Sequence, residues 1–435
     1  MFDLVVIGTG FSGVQAAHTA KQAGLSVSVL EARDCVGGKI WSVPLAPGRG
    51  FAELGGAWVN DSLQPRVWSY AQKFGLKVVK QCLEGTAIMQ PSENERFEFP
   101  FGTTPEFTPC KKKNPEFIRD HFQAQSLKNG LLSAEVDKVT LDQYVHSLGA
   151  LPKFAKMVNM WSQVMHGLES TEESAAWFID YCRRNKGFLA IRADDSTGGQ
   201  YLRFQDGAQS ITREIARLVE KDNIHVSCPI KAINDYDSHV TIKTRNGMIF
   251  SAKKCILSVP STMYKAFSFS PALPSAVQEV TNNTVLGDYN KAIVCHDKPW
   301  WRSEVVEKDH YSLTCFVNDL HGRKWENLPS HERRAAALKQ LTKGFKNHPD
   351  VFKQIEYFDQ IWQHEEFSRG ALASIHALGH LTKYALVYGQ PVGNIHFVGT
   401  EYSSEWKGYM EGALCSGEHG AKQVAGVLQN PTAKI

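Results

Sequence analysis

The sequence has few of the features that mark metal-binding, disulfide-bonded, membrane-spanning or nucleic-acid-binding proteins. Its nine cysteines are scattered over 435 residues, and no two of them form a C-x-x-C pair. This arrangement argues against a metal site and a disulfide framework, and it predicts a reducing compartment. No uninterrupted apolar stretch approaches the ~18 residues of a membrane-spanning helix. The net charge of +3 is too small to indicate binding to nucleic acid or to a membrane surface.

Internal repeats and low-complexity segments are also missing. The hydrophobic content of 43% and the charged content of 21% are typical of a soluble globular protein. A length of 435 residues exceeds one ordinary hydrophobic core, so we expect roughly two or three lobes.

The first residues contain a complete phosphate-binding βαβ unit. Asp3–Ile7 is a short apolar run that suits a buried parallel strand, and Gly8–Gly13 has the pattern G-x-G-x-x-G. Val14–Ala23 is predicted to be a helix that ends at Gly24, and Ser26–Leu30 is predicted to be a second strand. A strand, a glycine turn, a helix and a strand in this order predict a dinucleotide-binding fold.

Each part of this unit has a mechanical role. Gly8 allows the tight turn, Gly10 lets the backbone approach a pyrophosphate, and Gly13 brings the helix close to the strand. The helix N-terminus offers unpaired N–H groups and the positive end of its dipole to the phosphates. Glu31, which follows the second strand, can accept hydrogen bonds from a ribose.

Further segments indicate which dinucleotide is bound. Glu31–Lys39 contains one glycine pair, Glu53–Trp58 contains another, and Ile395–Glu401 is a strand-like run that ends in G-T-E. Trp406–Ala413 reads W-K-G-Y-M-E-G-A. Together these segments resemble the flavin-containing amine oxidase family, and most closely the monoamine oxidases. The resemblance implies FAD as the cofactor, since FAD is longer than NAD and needs contacts from remote segments.

The resemblance also implies an α/β fold with two lobes. One is a discontinuous Rossmann-type FAD-binding domain made of residues 1–76, 198–260 and 390–435. The other is a mixed α+β substrate-binding lobe made of residues 77–197 and 261–389. Periodicity alone predicts only mixed α and β structure.

The apolar pattern predicts individual elements within these lobes. The predicted elements are a strand at Ile224–Ser227, a hairpin over Tyr236–Phe250, a buried strand at Cys255–Pro260, a helix over Glu172–Arg184, and a helix over Tyr409–Leu428 that points at the cofactor.

The family's FAD contacts can be carried over position by position. Lys39 replaces the commoner arginine of G-G-R and keeps a positive charge near the pyrophosphate. Ile230 is expected to contact the adenine through its backbone. The full set that the resemblance implies is Gly8, Gly10, Gly13, Glu31, Arg33, Gly38, Lys39, Gly55, Gly56, Ala57, Trp58, Ile230, Glu401 and Met410.

Lys291 matches the lysine that, in flavin amine oxidases, holds a water molecule against flavin N5. It follows the run Val285–Asn290 and precedes Lys298–Trp301, as the family pattern requires. A buried lysine near a flavin would stabilise the anionic reduced ring and help oxygen to react there.

Three other residues are implied to lie at the substrate end of the site. Tyr409 matches the tyrosine that forms one wall of the family's aromatic cage, and Trp406 lies in the same motif. Gln200, in the run Thr197–Gln200, matches the glutamine that contacts substrate beside the flavin.

The sequence departs from the family pattern at Ser368–Leu372. Monoamine oxidases have S-G-G-C-Y there, with a cysteine that is bonded to the flavin and a tyrosine that completes the cage. Ala371 has no thiol, so we expect FAD to be bound non-covalently. Leu372 replaces one aromatic wall of the cage, which favours a bulkier or more apolar substrate over a simple monoamine.

These features predict an FAD-dependent amine oxidase. A neutral amine would give a hydride from its α-carbon to flavin N5 and become an imine, and O₂ would be reduced to H₂O₂. One alternative is a flavin desaturase or oxidase that acts on a C–C or C–N bond of a specialised metabolite. A non-redox FAD-binding module is a further alternative, which the presence of both Lys291 and Tyr409 disfavours. The oligomeric state cannot be predicted.

The sequence ends in Ala433-Lys434-Ile435, which is similar to the S-K-L peroxisomal address. We therefore expect a peroxisomal location, with the cytoplasm as the alternative. A hydrogen-peroxide-producing oxidase would suit a peroxisome.

Overall fold

The computed structural model describes residues 1–80, 83–92, 95–101, 109–130, 132–301 and 311–429. The tripeptide Ala433-Lys434-Ile435 lies outside the described residues. Among the residues described, no helix combines the length and the apolar character needed to cross a membrane.

The strands are numbered in chain order. Their bounds are β1 Phe2–Ile7, β2 Val27–Leu30, β3 Ser42–Pro44, β4 Phe51–Glu53, β5 Trp58–Val59, β6 Val78–Lys80, β7 Thr86–Ser92, β8 Glu95–Pro100, β9 Leu202–Phe204, β10 Ile224–His225, β11 Ile230–Asp235, β12 Val240–Thr244, β13 Ile249–Leu257, β14 Ser268–Ser270, β15 Val285–Gly287, β16 Tyr289–His296, β17 Tyr311–Asn318, β18 Glu356–Gln360, β19 Ala371–Ile375 and β20 Ile395–Phe397.

The α-helices are numbered in the same way. Their bounds are α1 Phe11–Gln22, α2 Pro65–Lys73, α3 Pro109–Leu127, α4 Ala134–Asp137, α5 Leu141–Ser147, α6 Pro152–His166, α7 Ala175–Arg184, α8 Gln209–Val219, α9 Ser275–Asn282, α10 Asp319–Trp325, α11 Ser330–Gly344, α12 His380–Lys383 and α13 Met410–Gln429.

The main sheet contains parallel strands in the order β10, β2, β1, β13 and β20. The first residues of β13 pair instead with β12 in antiparallel orientation, and β11 and β14 extend the sheet from there. Leu4, Val5 and Val6 in the middle of β1 are completely buried, as expected for a parallel strand that is covered on both faces. The predicted α/β class is therefore confirmed.

Two helices begin at the carboxyl edge of this sheet and pack against each other. They are α1, which follows β1, and α13, which follows β20. A Cβ atom on Gly417 would lie only 2.2 Å from the carbonyl oxygen of Ser12, so a glycine is needed where the two helices touch. The N-termini of both helices consequently lie at the edge of the sheet where α/β proteins bind ligands.

The remaining elements form an aromatic helical core and smaller antiparallel sheets. Phe122 of α3 packs edge-on to Phe178 of α7 with ring centres 5.4 Å apart, and Trp161 of α6 contacts Phe188 at 4.6 Å. β16 lies between β17 and β18 in an antiparallel sheet. The lobe boundaries given in the sequence analysis stay predictions.

Some predicted elements change length for local reasons. The helix expected over Glu172–Arg184 begins at Ala175, because the Ser174 hydroxyl accepts a hydrogen bond from the Trp177 amide and caps it. The strand expected over Ile224–Ser227 stops at His225, and Ser227 has a φ of +54°. The second hairpin strand and the strand expected at Cys255–Pro260 are one continuous strand, β13.

Candidate functional site

A cavity of about 560 Å³ opens at the carboxyl edge of the parallel strands. Its wall includes the residues that directly follow β1, β2 and β13, namely Gly8, Glu31 and Ser258, together with Gly399 beyond β20. Parallel strands bring their carboxyl ends to one edge, so segments distant in sequence meet here.

The glycine turn has the geometry that its sequence predicts. Gly8 has a φ of +100°, which favours glycine. A Cβ atom on Gly13 would lie 1.9 Å from the carbonyl oxygen of Gly8, whereas one on Gly10 would meet nothing within 4 Å. Gly10 is the N-cap of α1 and has no side chain that could accept hydrogen bonds from the first turn of the helix. The N–H groups of that turn are therefore available to a phosphate.

The acidic residue at the end of β2 is fixed next to this turn. Glu31 Oε2 accepts hydrogen bonds from the Thr9 amide at 2.8 Å and the Thr9 hydroxyl at 2.5 Å, and Oε1 accepts from the Arg33 amide at 2.9 Å. The guanidinium of Arg33 lies 4.4 Å from the centre of the Trp41 ring and donates to the Gly38 carbonyl at 3.2 Å. Both side chains contribute to the cavity wall.

Lys39 links the dinucleotide side of the cavity to the β19 segment. Its Nζ donates a 2.9 Å hydrogen bond to the Leu372 carbonyl. This carbonyl is available because β19 bulges away from β15 near Leu372, which has a φ of +60°. Burial lowers the pKa of Lys39 to about 8, and the Glu401 carboxylate opposes that shift.

Glu401 is held by hydrogen bonds from two other segments. It accepts from the amide and the hydroxyl of Ser261, both at 2.8 Å, and from the Tyr388 hydroxyl at 2.5 Å. These donors fix the carboxylate at the cavity wall near Lys39.

Lys291 on β16 is a buried residue of the cavity wall. Its Nζ donates to the carbonyls of Glu53 at 2.8 Å and Gly55 at 2.7 Å. The ammonium lies 5.5 Å from the centre of the Trp58 ring and 5.4 Å from that of Phe316. Burial lowers the pKa of Lys291 to about 8, while the Glu53 carboxylate acts in the opposite direction.

Tyr409 forms an aromatic wall with tyrosines that the sequence analysis did not single out. The rings of Tyr409 and Tyr181 are stacked with centres 6.4 Å apart and planes 25° apart, and Tyr289 lines the same cavity. Burial raises the pKa of Tyr409 and of Tyr181, so both stay neutral phenols near pH 7.

Trp406 is not among the described residues of the cavity wall. Its ring is only 1% exposed and packs edge-on to Tyr409 with centres 5.2 Å apart. Its φ of +50° and the turn that follows place Tyr409, three residues later, at the cavity. Trp406 therefore packs against Tyr409 and supports it, and a direct role at the substrate end of the site stays a prediction.

Gln200 lies at the cavity next to a closely packed loop. A Cβ atom on Gly198 would lie 1.9 Å from the Ala193 carbonyl, and one on Gly199 would lie 3.0 Å from the Tyr409 ring. The Asn60 side-chain amide donates a 2.7 Å hydrogen bond to the Gly198 carbonyl and thereby fixes this loop.

Most of the residues predicted from the sequence thus lie on one cavity wall. Gly13 lies behind that wall, where the absence of a side chain lets α1 pack closely against the turn after β1. The predicted residues on the wall are Gly8, Gly10, Glu31, Arg33, Gly38, Lys39, Gly55, Gly56, Ala57, Trp58, Gln200, Ile230, Lys291, Leu372, Glu401, Tyr409 and Met410.

Two parts of this cavity have features that suit FAD. The open backbone at Gly10 and the α1 N-terminus suit the pyrophosphate. Ile230 lines the cavity, and its contact with the adenine stays a prediction. Met410 at the start of α13 presents a second helix N-terminus, which suits a ring that gains negative charge on reduction. A dinucleotide fold with a buried lysine and a tyrosine wall defines a flavin-dependent oxidoreductase.

Comparison with known proteins identifies the family. A family model described as flavin containing amine oxidoreductase matches residues 11–425, and the chain therefore belongs to this family. The protein is an FAD-dependent oxidoreductase that acts on amines. Ala371 lines the cavity at the position of the family's flavin-linked cysteine and has no sulfur, so FAD is bound there without a covalent bond.

The relatives and solved structures agree with this assignment. The chain is 26% identical to a probable flavin-containing monoamine oxidase A of Dictyostelium discoideum, over 99% of each chain. It is 26% identical to the flavin-containing amine oxidase B of Mus musculus, over 97% of this chain and 86% of that one. A putrescine oxidase bound to putrescine superposes with a TM-score of 0.89 at 25% identity, over 97% of this chain and 98% of that one. Cyclohexylamine oxidase from Brevibacterium oxydans IH-35A superposes with a TM-score of 0.90 at 20% sequence identity, over 98% of this chain and 99% of that one.

Proposed function

We propose that this protein is an oxidase for amines that carry a bulky apolar or aromatic group. FAD would supply the acceptor for a hydride equivalent from the α-carbon of the amine, and O₂ would serve as the final acceptor with formation of H₂O₂. The imine product would then be released or hydrolysed. The observation that carries this proposal is the composition of the wall around Tyr409.

The wall differs from a cage of two facing aromatic rings. Leu372 provides an aliphatic surface where the family has its second cage aromatic. Tyr181 is stacked on Tyr409 with ring centres 6.4 Å apart, and the two hydroxyls are hydrogen-bonded. Because that spacing is below the ~7 Å that two rings need to hold a planar group between them, the substrate would contact one aromatic face and an aliphatic wall.

The tyrosines do not supply a base for the substrate. Burial raises the pKa of Tyr409 and of Tyr181, so neither accepts a proton near pH 7. The amine would therefore have to react in its neutral form. Site closure and orientation by Tyr409, Gln200 and Leu372 would contribute more than acid–base groups.

The test is anaerobic mixing of the oxidised protein with a panel of amines. The panel contains benzylamine, cyclohexylamine, a long-chain primary amine, a secondary amine and putrescine, and the flavin absorbance near ~450 nm is followed. We expect bleaching with the apolar amines and H₂O₂ when air is admitted. A protein that dithionite bleaches but no amine does would contradict the proposal.

A variant tests the role of the aliphatic wall. Leu372→Tyr restores an aromatic residue and should shift the ratio of kcat/KM values toward the most compact amines of the panel. Leu372→Met keeps an apolar wall of similar volume and is the matched control. Equal substrate profiles for all three proteins would remove Leu372 from specificity.

A further inference from the structure

One ion pair next to the cavity has no role in the site described so far. Arg245, in the turn between β12 and β13, donates a 2.6 Å hydrogen bond from Nη1 to the carboxylate of Glu366, 121 residues later in the chain. The guanidinium carbon of Arg245 lies 5.8 Å from the centre of the Phe367 ring. Arg245 and Phe367 both line the cavity, and the two side chains of the ion pair are 43% and 54% exposed. The pair therefore lies where the cavity wall meets the protein surface.

Main-chain hydrogen bonds connect Arg245 to the end of β2, where Glu31 lies. The Arg245 amide donates to the Pro229 carbonyl at 2.8 Å, and the neighbouring Cys228 amide donates to the Glu31 carbonyl, also at 2.8 Å. The sequence pattern assigns Glu31 to the ribose of the dinucleotide. Arg245 is thus joined to the part of the wall that this pattern assigns to the nucleotide half of FAD.

Glu366 belongs to a segment, Glu365–Leu372, that contributes many residues to the cavity wall. The wall residues of this segment are Glu365, Phe367, Ser368, Ala371 and Leu372. The Leu372 carbonyl accepts a 2.9 Å hydrogen bond from Lys39. The segment is consequently bonded to the dinucleotide-binding side at two points, by Lys39 at Leu372 and by Arg245 at Glu366.

We propose that the Arg245–Glu366 ion pair holds the segment Glu365–Leu372 against the cavity and must break before FAD can leave. Because Ala371 provides no thiol, the chain retains FAD through non-covalent contacts alone. A guanidinium–carboxylate pair suits this role, since its hydrogen bond is charge-assisted and the Phe367 ring restricts the position of the guanidinium. This inference rests on the binding of FAD in the cavity and not on which substrate the protein oxidises.

Arg245→Gln tests the proposal, because it removes the charge and keeps a polar side chain at the surface. FAD release is followed by the rise in FAD fluorescence after rapid dilution of the FAD-loaded protein. We expect release to be about two- to fivefold faster than in the wild type, as loss of an exposed ion pair allows. Equal release rates for the wild type and Arg245→Gln would overturn the proposal.

The matched control is Lys383→Gln. It breaks the ion pair between Lys383 and Glu279, which is similarly exposed, has an N···O distance of 2.9 Å and lies outside the described cavity wall. This variant should release FAD at the wild-type rate. An acceleration as large as that of Arg245→Gln would show that the effect is not specific to the pair at the cavity, and it would also overturn the proposal.

A double-mutant cycle separates loss of the ion pair from loss of Arg245 alone. Glu366→Gln should speed FAD release as much as Arg245→Gln does, and the double variant should be no faster than either. The exchanged pair, Arg245→Glu with Glu366→Arg, should restore slow release. Additive effects of the two single variants, or an exchanged pair as fast as the single variants, would contradict the proposal.

Salt gives a further readout that needs no additional substitution at the surface. High salt should speed FAD release from the wild type more than from the double variant, because it screens an exposed ion pair that the variant lacks. An equal salt effect on both proteins would count against the ion pair. None of these measurements uses an amine, so their outcome is independent of the test of the oxidase proposal.

Discussion

Two glycines of the first turn differ in what a methyl group would meet, and this gives a matched pair of variants. Gly13→Ala places a Cβ atom 1.9 Å from the Gly8 carbonyl, so the backbone must shift. We expect this change to cost about 2–4 kcal/mol of unfolding free energy, measured by urea denaturation of the FAD-loaded protein.

Gly10→Ala should have the opposite profile. Its Cβ atom meets nothing within 4 Å and its φ of −62° suits any residue, so the fold should be nearly unaffected. The methyl group would occupy space at the phosphate position, and we expect the FAD affinity to fall at least tenfold in fluorescence titrations. Equal FAD affinity in wild type and Gly10→Ala would contradict the placement of the pyrophosphate.

Lys291→Met removes the buried ammonium and keeps an apolar side chain of similar length. We expect reoxidation of the dithionite-reduced protein by O₂ to slow at least tenfold, about 1.4 kcal/mol of barrier. In the wild type the rate should fall as the pH rises through about 8, where Lys291 loses its charge, and this fall should be absent from the variant. An unchanged reoxidation rate in stopped-flow measurements would exclude Lys291 from the reaction with oxygen.

At the scale of single residues, the sequence predicts those positions whose role is local. The three glycines of the first turn lie within six consecutive residues, Gly8–Gly13, so the local sequence pattern is enough to predict the shape of the turn. Tyr181 and Tyr289 reach the cavity from α7 and β16, which are not neighbours in the chain. Their convergence on Tyr409 depends on tertiary packing, and the apolar pattern of each element alone does not reveal it.

At the scale of elements, the α13 motif also supports a helix far from it in sequence. The N-terminus of α2 has no side-chain cap of its own. Instead, Glu411 of α13, which is completely buried, accepts hydrogen bonds from the Arg66 and Val67 amides, both at 3.0 Å, and from the Arg66 guanidinium at 3.2 Å. The carboxylate thus satisfies the free N–H groups of α2 and opposes the positive end of its dipole.

We expect Glu411→Ala to destabilise the protein by about 2–4 kcal/mol, because it leaves buried donors without partners. Glu411→Gln keeps one acceptor and should cost about half as much. The matched control is Glu418→Ala, which removes a partly exposed partner of the same Arg66 and should cost less than about 1 kcal/mol. Equal losses for Glu411→Ala and Glu418→Ala in chemical denaturation would contradict the capping role.

The element scale also shows why part of the site could not be predicted. The W-K-G-Y-M-E-G-A run predicts Tyr409 at the cavity, but Glu411 meets Arg66 across 345 residues of sequence. Likewise, the hydrogen bond from Lys39 to the Leu372 carbonyl depends on a bulge in β19, and the residue pattern of this segment does not predict that bulge. Long-range contacts and bulges are set by the tertiary structure, so they appear only once the sheet is assembled.

At the scale of the whole molecule, the folded chain holds FAD without a covalent bond. Ala371 lines the cavity and has no sulfur atom. The cavity wall also carries two charged side chains, Lys39 and Glu401, and the N-termini of α1 and α13 face it. A ligand that binds only the folded state adds RT ln(1 + [L]/Kd) to stability. The thermal midpoint should therefore rise with added FAD, by an amount that depends on its free concentration.

Acid precipitation provides the direct test of this binding mode. When the fold is lost, all of the yellow colour should pass into the supernatant, because no bond retains the flavin. Ala371→Cys places a thiol at the position of the family's flavin-linked cysteine, and a fraction of the flavin in that variant should stay with the acid-precipitated protein. Ala371→Ser has a similar size but a much weaker nucleophile and should release its flavin completely. Colour retained in the wild-type pellet would show that another side chain forms a covalent bond to FAD.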